Sequence, residues 1–403
     1  MNRLIQGLFA IALLPAPALG AIPPDDFAAC LDRIRDTARS RDIAPTTIDE
    51  MLGGVTPSDR VIELDRRQPE FTTTLHDYLN ARVDRGRIQS GRRMLREHAD
   101  LLGRIEADYG VPARYLVAFW GLESNFGRTT GSMSTVRSLA TLACDRRRGE
   151  FFESELISAL HLVDEQTLAA DQLRGSWAGA LGNFQFLPSV YRRHAVDADG
   201  DGRIDLWDSL PDAAESAANF LRARGWTPEQ RWGREVRLPE GFDYRLAETE
   251  QSVNEWAQAG LRRANGKALP SADFDARLIV PAGAEGPAFL VYPNFDVIMR
   301  WNPSRAYALS VGLLADRLVG APPLHNPPPD RPALPVDTIE ALQTALQTRG
   351  FEVGPVDGRM GPRTREAIRT FQDQQAMTRD GHPDRSLLRA LGIEQSEDSN
   401  DVE

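Results

Sequence analysis

Seven of the fifteen residues from Ala321 to Pro335 are proline. No helix or central strand runs through such a stretch, because each proline lacks an N–H and fixes its own φ. The chain must therefore fold as two units joined by an extended, semi-rigid linker, 321–336. The unit before it, 21–320, is long enough for a large core, and 41% of all residues are hydrophobic. The unit after it, 337–392, has its own apolar pattern: Ile339, Leu342 and Leu346 mark one helix, Ala367, Ile368 and Phe371 another. The acidic tail 393–403 is predicted to be disordered.

At the other end, Met1-Asn2-Arg3 leads into a mostly apolar run from Leu4 to Leu14, a Pro-Ala-Pro break, and Ala18-Leu19-Gly20 ahead of Ala21. That is the pattern of a cleavable secretory signal over 1–20. The alternative, a membrane anchor, falls short of the ~20 apolar residues a spanning helix needs. The residue right after the cut is Ala21 and not Cys, so a lipid anchor is not expected and a soluble periplasmic protein is. The only cysteines, Cys30 and Cys144, would then meet an oxidising compartment and are expected to form a disulfide, the alternative being two separate buried thiols. The formal charge of −11 argues against nucleic acid or anionic lipid as the partner.

From Phe27 to about Leu221 the pattern is mainly helical, and Ile88 to Tyr109 reads as one segment with Met94, Leu95, Leu101, Leu102 and Ile105 at helical spacing. Residues 226–297 read differently. Short β-rich runs such as Arg277-Leu278-Ile279-Val280 and Phe289-Leu290-Val291-Tyr292 stand between Gly and Pro, which predicts a small α+β subdomain inserted into the helical core. Helix resumes over Pro303 to Val319.

One carboxylate stands out. Gly110-Val111-Pro112-Ala113 opens a helix and Gly127 stands where a left-handed helix end is wanted, so Glu123 falls near the last turn. Leu116 and Trp120 share its face, seven and three residues earlier. Apolar neighbours disfavour the charged form of a carboxyl, which suits a general acid. The plain alternative is a Glu at a helix end facing water.

Gly121-Leu122-Glu123-Ser124-Asn125-Phe126-Gly127 resembles the catalytic motif of the membrane-bound lytic transglycosylase B family, glycoside hydrolase family 103. Ser176-Trp177-Ala178-Gly179-Ala180-Leu181-Gly182 through Gln185-Phe186-Leu187-Pro188-Ser189 resembles its second signature. The likeness runs from about Phe27 to Leu318. It implies a lysozyme-like helical core and a cell-wall enzyme that uses Glu123 as its single acid and base. The acid protonates the oxygen between N-acetylmuramic acid and N-acetylglucosamine, then takes the proton of the muramic C6 hydroxyl, which attacks C1 and closes a 1,6-anhydro ring. An intramolecular nucleophile needs neither water nor a second carboxylate. The resemblance further implies that Ser176 and Gln185 line the cleft, that Asn302 and Tyr307 contact the acid or the sugar, and that Arg147 and Arg148 lie near substrate. Trp301 stands where the family leads one to expect Tyr, and Asn183-Phe184 replaces a more usual Tyr-Gly.

Asp197-Ala198-Asp199-Gly200-Asp201-Gly202-Arg203 sets carboxylates at loop positions one, three and five with Gly at six, the calcium-loop pattern of an EF-hand, and the Arg203 carbonyl can add an oxygen. Asp208 holds position twelve, whereas the resembled family nominates Asp212, which is preferred here. A structural Ca2+ is expected, and no organic cofactor. The six His stand at no transition-metal spacing.

After the linker, Ile339-Glu340-Ala341-Leu342-Gln343, Gly350-Phe351, Val356-Asp357-Gly358-Arg359-Met360-Gly361-Pro362-Arg363-Thr364, Ala367-Ile368 and Phe371-Gln372 resemble the type 1 peptidoglycan-binding domain, a three-helix unit. Asp357-Gly358 is a turn and Gly361-Pro362 leads into a helix. Peptidoglycan strands are therefore the expected partner, with cell-wall synthesis or division proteins as further ones, for a chain acting as a monomer. The competing readings are a water-using muramidase and a non-catalytic wall-binding scaffold; a calcium-sensing adaptor or a zinc peptidase has less in its favour.

Overall fold

Helix Ala113–Ser124 is apolar on every face, and a helix of that kind is stable only in the middle of a core. From Tyr115 to Ser124 every residue is buried except Glu123, which is half-buried at the end of the last turn. The computed structural model describes residues 22–66, 73–145 and 148–393. The signal-like segment and the acidic tail lie outside them.

Around this central helix pack Arg305–Leu318, Arg85–Glu97 and Leu210–Ala223, while Thr135–Ala143 and Gly149–Asp164 pair beside them. The segment read as one helix from Ile88 to Tyr109 is two, Arg85–Glu97 and Ala99–Tyr109. The break is at His98, whose backbone leaves helical values (φ −114°) and whose ring meets the edge of Trp120 at 5.9 Å. Apolar spacing continues across the break, which is why periodicity alone does not reveal it.

Cys30, in helix Pro24–Ser40, is bonded to Cys144 at the end of Thr135–Ala143, with Cα atoms 5.9 Å apart and 114 residues between them. Closing a loop of roughly 100 residues removes about 4.7 kcal/mol of unfolded-state entropy in the chain-entropy model. Reducing this bond is expected to lower stability by about 2–5 kcal/mol, read as the shift in urea midpoint with and without reductant. An unchanged midpoint would show that the helices hold together without it.

The predicted inserted subdomain is a five-stranded antiparallel sheet in the order Glu250–Ser252, Asp275–Ile279, Ala288–Val291, Gly233–Arg237, Arg262–Arg263. Its central strands pair Leu278 with Leu290 and Ile279 with Phe289. Leu278 and Leu290 pack in the sheet's own core with Trp256, whereas Ile279 and Phe289 join the helical core, as side-chain alternation requires. The sheet thus grips the helical body with one face.

Residues 321–335 carry no helix or strand. Instead of standing free they lie along the first unit: Asn326 donates through its backbone to Glu235 at 2.7 Å, and His76 meets the Pro328 carbonyl at 3.0 Å. Beyond them, Val336–Thr348, Pro362–Gln374 and Arg385–Leu391 enclose a separate small core. Its buried Gln343 accepts from the N–H groups of Asp357 (3.0 Å) and Gly358 (2.9 Å) and donates to Thr364, fixing the turn read from Asp357-Gly358. No helix among the described residues is long and apolar enough to cross a membrane.

Candidate active site

The end of the central helix is built to hold Glu123 still. Asn125, Phe126 and Gly127 adopt left-handed φ values of 51°, 60° and 78° in succession. The left-handed end therefore starts at Asn125, two residues before the Gly that the sequence suggested, because Asn tolerates this region better than other residues with a side chain. Ser124 Oγ accepts the Gly127 N–H at 2.9 Å, and the Thr129 N–H and hydroxyl donate to the Ser124 carbonyl at 2.9 and 3.0 Å. A Cβ at Gly127 would stand 2.6 Å from Asn183 Oδ1, so the close return of the chain requires glycine there.

Tyr307, from helix Arg305–Leu318, donates its hydroxyl to Glu123 Oε1. Burial above all, and then the neighbouring Glu123, push this phenol well above its ordinary pKa, so it keeps its proton and remains a donor. Ser304 caps the helix by accepting the Tyr307 N–H at 3.3 Å. Asn302 lies just ahead of it, half-buried at the end of Pro293–Trp301.

Two further predicted residues sit against the segment that follows Glu123. Gln185, itself left-handed at φ 51°, donates its amide to the carbonyls of Thr130 (2.9 Å) and Gly182 (2.8 Å). The backbone N of Ser176 lies 2.5 Å from where a Cβ on Gly131 would be, and Ser176 Oγ accepts the Ala180 N–H at 3.1 Å. Beneath them Trp301 packs on Phe119, Phe186 and Phe220 at 4.5, 5.5 and 5.1 Å, with Phe184 at 6.4 Å. Two of the three departures from the family pattern, Phe184 and Trp301, are thus in one cluster.

The other departure, Asn183, is a junction whose role the sequence did not reveal. Its buried Oδ1 accepts the Trp120 indole N–H at 2.8 Å, while its Nδ2 donates to the carbonyls of Leu206 (3.1 Å) and Trp207 (2.7 Å). It ties the acid's helix to the loop that begins at Asp197. Of the basic pair, Arg147 lies outside the described residues. Arg148 is committed elsewhere: it donates to Asp65, which is 2% exposed, and lies over the Phe152 ring at 5.0 Å. A buried carboxylate needs such a partner, so Arg148 is held in an ion pair, with its side chain still 43% exposed.

In the Asp-rich loop, oxygens of Asp197, Asp199 and Asp212 come within 4.8 Å of one another. Asp212, 1% exposed, accepts the N–H groups of Ala198 (2.8 Å), Asp199 (3.4 Å) and Asp205 (2.8 Å). Among the described residues no basic side chain pairs with these three carboxylates, whereas Asp201 is bonded to Arg203 through its N–H (2.8 Å) and guanidinium (3.3 Å). Convergent hard oxygens with uncompensated charge fit calcium, and Asp212 rather than Asp208 is the residue that converges.

The profile of the transglycosylase SLT domain matches residues 26–316, and that of a peptidoglycan binding domain matches 336–391. The chain belongs to the SLT transglycosylase family. Membrane-bound lytic murein transglycosylase B of Escherichia coli K12 is 35% identical over 230 residues, 56% of this chain. That alignment spans 62% of the relative's length, less than two thirds of it. SltB3 of Pseudomonas aeruginosa, solved with NAG-anhNAM-pentapeptide, superposes at a TM-score of 0.85 with 43% identity, covering 91% of this chain and 99% of that one. The E. coli transglycosylase Slt35, solved with calcium, is 29% identical at a TM-score of 0.61, covering 74% and 93%. The mainly helical lysozyme-like core, the small sheet subdomain and the separate helical C-terminal domain are therefore those of SLT transglycosylases.

Proposed function

We propose that this SLT transglycosylase cleaves the N-acetylmuramic acid to N-acetylglucosamine bond of peptidoglycan in the periplasm and leaves 1,6-anhydro ends, in wall remodelling or turnover. Glu123 acts first as acid and then as base. The observation that carries this reading is the Tyr307 hydroxyl on Glu123 Oε1 at the mouth of an otherwise buried helix. A protonated phenol aims the carboxyl by donating to one of its oxygens. Asn302, Ser176 and Gln185 hold the strand around it. The relative solved with NAG-anhNAM-pentapeptide supports the ring closure, which needs only the substrate's own hydroxyl as nucleophile.

Asp197, Asp199 and Asp212, with oxygens from Asp201 and the Arg203 carbonyl, would hold a calcium ion, which would supply fixed positive charge to the loop. Asn183 then passes that rigidity to Trp120, one turn before Glu123.

Digestion of purified sacculi tests the function: released muropeptides one water lighter than their reducing counterparts support it, and reducing ends favour the muramidase instead. Tyr307→Phe is expected to lower kcat on a soluble muropeptide by about 10- to 100-fold, the worth of one hydrogen bond to a charged group, with little change in KM. A variant with wild-type kcat would remove Tyr307 from the mechanism.

A further inference from the structure

The wall-binding module does not hang from its linker; it docks on the sheet subdomain. Asp380 accepts the Ala284 N–H at 2.9 Å, and Arg245 reaches Asp373 at 3.2 Å. The loop bearing Asp380 is itself held by the buried Gln372, which donates to Asp380 Oδ1 at 2.8 Å and accepts the Gly381 N–H at 2.8 Å. The contact of most consequence is Glu248. Arg305, the first residue of the helix that carries Tyr307, forks onto both its oxygens at 2.7 and 2.8 Å. From the module's side, Arg369, 9% exposed, donates to the same carboxylate at 3.3 Å. Burial, with Arg305 and Arg369 alongside, brings the guanidinium of Arg365 down to about 10. One carboxylate therefore bonds an arginine from each side of the domain boundary, Arg305 and Arg369, while Glu366 gives Arg369 a second partner at 3.0 Å from within the module.

The backbone adds an independent observation. Glu248 sits at φ +69°, a left-handed conformation unfavourable for glutamate, with its N–H donated to the Leu278 carbonyl at 2.8 Å. Glycine would suit that backbone better, so keeping Glu there sacrifices stability for what the side chain does.

We propose that Glu248 is a positioning residue: it couples docking of the wall-binding module to the start of the Tyr307 helix, and so to the alignment of Tyr307 on Glu123. This rests on the catalytic reading above. The module is then part of the catalytic geometry, beyond raising the local concentration of strands.

Glu248→Gly is the test, since it relaxes the backbone while removing the carboxylate, and Arg369→Gln repeats the cut from the module's side without touching the sheet. Two readouts are taken on the full chain: the rate of protease cleavage in the 321–335 linker, and kcat and KM on a short soluble peptidoglycan tetrasaccharide. Both variants are expected to stay folded, to be cut faster in the linker, and to lose roughly tenfold in kcat with KM nearly unchanged; Glu248→Asp is expected to recover part of the loss. A module that acts only as a tether would leave kcat on this substrate at the wild-type value. Faster linker cleavage with unchanged kcat overturns the proposal, as does unchanged linker cleavage in Glu248→Gly. A wild-type chain that leaves the tetrasaccharide uncut overturns the catalytic reading, and this one with it.

Discussion

Glu123→Gln is expected to slow strand cleavage by roughly 10³-fold, within the range over which a positioned acid–base group contributes. The substitution keeps the shape of the side chain and an oxygen able to accept from Tyr307, so the hydrogen bond across 184 residues survives. What it removes is the proton that must reach the glycosidic oxygen and the base that must take one from the C6 hydroxyl. On the proposed mechanism one carboxyl does both, so no second group can substitute at either step. Melting temperature is expected to stay at the wild-type value, since Glu123 is the one half-buried position in a run that is otherwise buried from Tyr115 to Ser124. Turnover of a soluble muropeptide by the folded variant checks this. Activity within tenfold of wild type would mean that the acid is another residue.

Asp212→Ala is expected to cost about 3 kcal/mol or more of stability. The buried carboxylate accepts three backbone N–H groups of the partly exposed loop, and alanine removes that acceptor from all three. It also removes the buried member of the convergent trio with Asp197 and Asp199. Calcium bound at about 100 times its Kd would stabilise the fold by about 2.7 kcal/mol. Chelation should therefore lower the melting temperature of the wild type, with restoration by added calcium, while Asp212→Ala should respond to neither. A wild type indifferent to chelator would show that backbone hydrogen bonds alone hold the loop.

The features legible in the sequence were those with a local cause. Proline density marked the boundary between units, short β-rich runs between Gly and Pro marked the sheet, and the Asp197 loop announced itself by spacing. Glu123 was placed at a helix end by Pro112 and Gly127, although the turn begins at Asn125. Features that depend on distant segments meeting were not legible from pattern. Tyr307 entered only through the family resemblance. Arg148 gave no sign that it faces Asp65, because nothing local reveals which helices will touch. The break at His98 was hidden because apolar spacing runs through it. Asn183 and Glu248 were silent for the same reason: each matters through partners 63 and 57 residues away, Trp120 and Arg305.

The central claim is that the substrate's own hydroxyl, and not water, attacks the anomeric carbon. Digestion of sacculi in water enriched in heavy oxygen, followed by mass spectrometry of the released muropeptides, tests it most directly. The account predicts fragments one water lighter than reducing muropeptides and free of the label. Reducing ends carrying heavy oxygen would contradict it and make the enzyme a hydrolase.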